Sequence, residues 1–272
     1  MRSRLLLASA AIASAVAAPA LAQTAWSGPY FGAAVGYAKQ ADKGSETTQF
    51  DTNLDGRFGD TVNTAAGANA FSPGFCGAAA NGATPAAGCN EDDNSLEGAI
   101  RAGYDWQLGS WVVGGVAELG AADVEDSVGA FSTTPAGYTM KRKLRGMAAV
   151  RARVGYPVGS YLPYVTAGFA RAKVNSSFST TNTVNTFVQS GDEGVSGFQL
   201  GAGVERELVP SVRLGLEYLF TRLDDDSYRV RAQGPAPATN PFILVNAAGT
   251  DFRRSNNDFD IHAVRATVAY AF

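Results

Sequence analysis

Charged residues of both signs recur along this 272-residue chain, each set facing away from a row of apolar ones. Glu97 and Arg101 alternate with Leu96, Ile100 and Ala102, and Glu118 stands opposite Leu119. Arg145, Arg151 and Arg153 fall in one alternating stretch, and Glu205, Arg213, Glu217 and Arg265 continue the pattern. Guanidinium and carboxylate groups form bidentate, charge-assisted pairs, and a buried charge has to be paired. Such residues on one face make either an interlocking plug or the lining of a narrow ion pore.

Two other spots have chemical potential. "DTNLDGRFGD" sets Asp51, Asn53, Asp55 and Gly56 in the order that opens a calcium loop. Oxygen donors at alternate positions suit a hard cation. Position twelve, where a bidentate Glu would close the site, is Val62, and Asp60 falls at the wrong spacing. A polar, turn-rich surface loop is the competing reading. Cys76 and Cys89, in "FCGAAANGATPAAGC", are the only cysteines. Two cysteines without neighbouring histidines make a poor zinc site. In an exported chain they are expected to form a disulfide, the alternative being free thiols.

Catalytic arrangements are scarce. His262 is the sole histidine, which excludes an H-E-x-x-H metal site. A Ser–His–Asp set is formally open, but no G-x-S-x-G elbow supports it. No enzyme and no cofactor is expected. Lys and Arg number 22 against 25 Asp and Glu, a net charge of −3, which argues against a nucleic-acid partner.

The charged faces need elements to carry them, and the period is two, so those elements are strands. Eight segments alternate. "PYFGAAVGYA" sets Phe31, Ala33, Val35 and Tyr37 on one face, and "LEGAIRAGYDW" sets Leu96 through Trp106 against Glu97, Arg101 and Asp105. The third starts at Trp111. The fourth runs to Tyr156, with Leu144, Ala148, Val150, Ala152 and Val154 opposing the three arginines. The fifth covers about 162–174, followed by "GFQLGAGVERE". The seventh opposes Val212, Leu214, Leu216, Tyr218 and Phe220 to Arg213 and Glu217. "HAVRATVAYAF" is the eighth.

Periodicity alone does not say which face is inside. The connections do better. "QLGS", "PVGSY" and "LVPS" are tight, whereas residues 39–94, 123–138, 175–192 and 222–258 form long polar connections. Short turns on one side and long loops on the other mark a transmembrane barrel. Trp106, Trp111, Tyr156, Tyr161, Tyr270 and Phe272 gather at the short-turn ends, as an interfacial girdle would. The N-terminus reads as a secretory signal: Arg2 and Arg4, an apolar run from Leu5 to Val16, and the Ala20-Leu21-Ala22 triplet. Residues 1–22 are thus expected to be removed, leaving 23–272 as one barrel domain of eight antiparallel up-and-down strands, four long extracellular loops and three short periplasmic turns.

"WSGPYFGAAVGY", "VRARVGY", "GAGVE", "LEYLF" and the final "YAF" resemble, in that order, the small outer-membrane barrels of the opacity/porin-like superfamily, especially α-proteobacterial surface antigens. The resemblance covers the strands and little of the loops. It implies an integral protein of a Gram-negative outer membrane, inserted by an assembly machine that reads the last strand, with Tyr270 and Phe272 as the assembly signal. It implies a structural, adhesive or porin-like role rather than one activity. Expected partners are outer-membrane lipid and lipopolysaccharide, the assembly machinery, and an extracellular ligand or host surface met by the loops. "PFILV", at 241–245, is an apolar tip that can meet a partner, lipid or the first loop.

Overall fold

The computed structural model describes residues 26–41, 45–92, 94–191 and 193–272. The expected signal segment, residues 1–22, lies outside the described residues. Eight strands form the wall: β1 (Gly28–Gln40), β2 (Ser95–Leu108), β3 (Trp111–Ala122), β4 (Ala136–Gly155), β5 (Tyr161–Thr180), β6 (Gly194–Val209), β7 (Val212–Asp224) and β8 (Asp258–Ala271). Each pairs antiparallel with its sequence neighbour, and β1 pairs with β8, from Tyr30 opposite Ala271 to Gln40 opposite Ile261. That pairing closes the sheet and removes both edges, which a lipid-exposed sheet requires. Tight turns join β2 to β3 and β4 to β5. Gly109 and Gly159 take positive φ there, 62° and 60°, a conformation glycine adopts without steric cost.

Burial is inverted relative to a water-soluble barrel. Phe31, Ile100, Leu119, Val150, Phe169, Leu216 and Val264 are exposed, while Arg101, Arg151, Arg153, Glu217 and Arg265 on the opposite faces are buried. The apolar row therefore faces lipid. The rings at the short-turn end lie outside on the same rim, with Trp111 5.3 Å from Tyr156 and Tyr270 5.0 Å from Phe272.

Besides a shift at Glu207/Val209 beside the β6–β7 turn, the register of β4 against β5 departs from simple alternation. Lys173 pairs with Gly146, but Val174 pairs with Leu144, so Arg145 is an extra residue in β4. A bulge of this kind turns the alternation over. Above it Tyr138, Met140, Arg142 and Leu144 point inward; below it Ala149, Arg151 and Arg153 do. Leu144 is consequently buried and Arg145 exposed, the reverse of their expected sides.

The long connections contain more than loop. Thr186–Ser190, Arg229–Gln233, Thr250–Arg254 and Thr48–Asp51 form a four-stranded sheet above the barrel mouth. Glu125–Ser132 doubles back on the upper part of β4, and Gly74–Cys76 adds to its outer edge. Together they enclose a second core of Phe50, Phe71, Phe242, Phe252, Tyr138 and their neighbours. Phe71 is central, its ring 4.5 Å from Phe50, 5.3 Å from Tyr138 and 6.0 Å from Phe242. The long connections thus form a compact extracellular head.

Candidate functional site

The lumen is the most highly organised polar site, and small residues shape it. Tyr30 lies directly opposite Gly103, and Tyr164 opposite Gly203. A Cβ at either glycine would collide with the facing ring, so the glycines let both rings lie flat against the wall. Between them sits Arg153, its guanidinium 5.0 Å from the Tyr30 ring centre and 4.9 Å from that of Tyr164. Arg153 donates to Asp105 at 2.9 and 2.7 Å and to Glu205 at 2.7 and 3.0 Å. Arg213 joins Asp105 at 3.2 Å and stacks 4.7 Å over Trp26, which closes the lower end of the lumen.

A second tier lies above the first. Arg265 donates to Glu118 at 2.7 and 2.8 Å and to Glu217 at 2.8 Å. Arg151 donates to Glu118 at 3.0 Å and to Gln199 at 2.6 Å, and Arg101 reaches Glu217 at 3.4 Å. Glu97 stands 3.7 Å from Arg265. Nine of the ten charged residues drawn from the alternation thus meet in the lumen. The tenth, Arg145, does not: the bulge turns it outward, where it pairs with Asp123 at 3.0 Å. Asp105 and Gln199 belong to the network without having been singled out, although the alternation of β2 already put Asp105 on the charged face.

The tier is capped by an apolar layer that alternation did not reveal. Leu144, Val174, Leu219, Leu223, Phe259 and Ile261 fill the barrel above Arg265 and Arg151. Over them lies another buried ionic cluster. Arg254 meets Glu46 at 2.6 Å and Asp126 at 2.9 Å, and Arg142 meets Asp126 at 2.7 Å while stacking 4.7 Å over Phe259. Asp225 lies 3.7 Å from Arg142; burial pushes its carboxyl above the ordinary range, a shift Arg142 opposes. No periodic signal could have found this cluster, because Glu46, Asp126 and Arg254 come from separate connections.

The other singled-out residues lie in the head. Cys76 and Cys89 form a disulfide. Asp51 is buried, and its carboxylate accepts the N–H groups of Asp55 at 3.2 Å and Gly56 at 2.8 Å. Asn53 Oδ1 accepts from Asp55 N, and Asp55 Oδ1 from Arg57 N. These oxygens hold the turn through its own backbone, and among the described residues no cluster of three acidic, His or Cys side chains is placed to hold a metal. Phe242, in the apolar tip, is buried on Phe71 of the first connection, while Val245 is exposed. His262 faces outward and shares a 2.6 Å hydrogen bond with the Tyr218 hydroxyl. Tyr270 and Phe272 lie exposed on the lower rim.

Residues 8–272 match the family model described as outer membrane protein beta-barrel domain. The chain is 34% identical over 128 residues to the 31 kDa outer-membrane immunogenic protein of Brucella melitensis biotype 1, covering 46% of this chain and 53% of that protein. It is 30% identical over 131 residues to the 22 kDa outer membrane protein of Rhizobium leguminosarum bv. viciae, covering 48% and 54%. The chain thus spans about half the length of the curated relatives it matches. Among solved structures it is similar to OprG from Pseudomonas aeruginosa, with a TM-score of 0.51, 12% identity, and coverage of 91% and 98%, a likeness of fold. With the family model matched over almost its whole length, and a closed eight-stranded wall turned apolar side out, this chain belongs to the outer membrane protein beta-barrel domain family and is an integral protein of the Gram-negative outer membrane.

Proposed function

We propose that the protein is a closed structural barrel that displays a rigid head for contact with an extracellular ligand or host surface, and that it is neither an enzyme nor an open porin. The observation that carries this reading is the filled lumen. Interlocked Arg, Glu and Asp side chains, with Leu219, Leu223 and Phe259 stacked above them, occupy the space that eight strands enclose. The sole histidine points to the outside, away from every buried carboxylate of the network. Planar bilayers loaded with the folded, heat-modifiable protein are expected to stay silent. Reproducible conductance steps would support the other reading, a small porin passing ions. That reading is favoured by buried polar atoms of the lumen without a hydrogen-bond partner, among them Arg101 Nε, Arg151 Nε and Glu217 Oε1.

A further inference from the structure

The lipid-facing wall is not smooth. A trough of about 680 Å³ runs across β2, β3 and β4, walled by Phe31, Ile100, Leu119, Val150 and Phe169, with Ala117 and Ala148 in its floor. A second hollow continues it upward, sharing Leu119, Ala148 and Arg171 and adding Lys173. Outward side chains change there from apolar to basic. On β5 the order is Phe169, Arg171, Lys173; on β4 it is Val150, Ala148, then Arg145, Lys143 and Lys141. The bulge is what adds Arg145 to this outer row.

The height of the change is informative. From Tyr161 on the lower rim to Arg171 is ten residues, roughly 33 Å of strand, which at the usual tilt spans about 25 Å of membrane. That is the thickness of an outer-membrane apolar band, so the basic row lies at the head-group level of the external leaflet. Its charge is only partly compensated. Lys141 and Lys143 share Glu125 at 2.8 and 2.9 Å, Arg145 pairs with Asp123 at 3.0 Å, and Lys173 pairs with Glu193 at 2.9 Å. Arg171 has no carboxylate partner among the described residues. The Lys173–Glu193 and Arg145–Asp123 pairs are solvent-exposed, so each contributes little and yields readily to a stronger anion.

We infer that this surface binds one phosphorylated, acylated sugar lipid of the lipid A type from the external leaflet. An acyl chain lies in the trough over Ala117 and Ala148, and a sugar phosphate meets Arg171 and Lys173, with Arg145 beside them. Guanidinium and ammonium groups at an apolar rim match that chemistry: the phosphate gains charge-assisted hydrogen bonds and the chain covers exposed apolar surface. The inference rests on the membrane placement of the barrel and not on the closed state of its lumen.

The test is native mass spectrometry of the full-length folded protein in mild detergent, with lipid A, dephosphorylated lipid A or phosphatidylglycerol added. The wild type is expected to retain one lipid A, and Arg171→Glu with Lys173→Glu is expected to lower retention at least about tenfold, as losing two charged hydrogen bonds implies. Ala148→Phe, which fills the trough without changing charge, is expected to lower it as well. Heat-modifiable migration checks that each variant is folded, and Arg171→Gln replaces the double variant if that one does not fold. Equal retention of lipid A by the wild type and the charge variant overturns the inference. So does equal binding of the dephosphorylated lipid or of phosphatidylglycerol.

Discussion

Arg145 and Arg153 lie on the same strand and have opposite surroundings. Arg153 is buried between two carboxylates and two tyrosine rings; Arg145 stands in solvent beside Asp123. Removing Arg153 leaves Asp105 and Glu205 buried without their shared partner, though Arg213 still reaches Asp105. Breaking such a pair costs about 3–5 kcal/mol, whereas losing an exposed pair costs about 0–1 kcal/mol. Arg153→Ala is therefore expected to lower the temperature at which the barrel loses its fast-migrating form, with Arg145→Ala close to wild type. Equal shifts for the two variants would contradict the placement of the lumen network. Period-two reading found nine members of that network because alternation is a local property of strands. It misplaced Arg145 because a single extra residue inverts the facing, and nothing in "KRKLRGMAAVRARV" marks where that residue sits. The Gly146 next to it is compatible with a bulge, but the chain has 31 glycines, most of them elsewhere in turns or strands.

The elements above the membrane show where local patterns stop being informative. β4 and β5 each run for 20 residues, well past the apolar band, and their upper halves belong to the head. The short strands Thr48–Asp51, Arg229–Gln233 and Thr250–Arg254 are only four or five residues long and pair across large sequence separations. Alternation over so few residues carries little signal, so these stretches read as polar loop. Their common core was equally hidden, since Phe50, Phe71, Phe242 and Phe252 are scattered through two long connections. Phe71 touches most of the cluster, and Phe71→Ala is expected to cost the head about 3–5 kcal/mol. Hydrogen exchange should then accelerate in Thr48–Asp51 and Thr250–Arg254 and stay unchanged in β3, because Phe71 packs in the aromatic core of the head, a cluster separate from the apolar layer of the barrel. Exchange that rises equally in β3 would show that head and barrel open as one unit.

At the scale of the whole molecule the interior is a column of alternating chemistry: Trp26 at the base, the two ionic tiers, the Leu219–Phe259 apolar layer, the Arg142–Arg254 ionic cluster, and the aromatic core. Lipid surrounds only the lower part, since the outward side chains turn basic at Arg171 and Lys173. The two ends of this column face different compartments, and the alternation of tight turns with long connections fixes which end is which. The chain lends itself to a direct test, because its only cysteines are joined to each other and no described thiol is free. A cysteine placed at Arg57, exposed in the head, is expected to react with a membrane-impermeant maleimide on intact cells. A cysteine at Ser110, exposed in the tight turn between β2 and β3, is expected to react only after the outer membrane is permeabilised. Both sites are solvent-exposed, so the difference between them reports the membrane and not burial. Labelling at Ser110 on intact cells, with Arg57 protected, would invert the orientation and move the basic row, and with it the lipid A site, to the periplasmic leaflet.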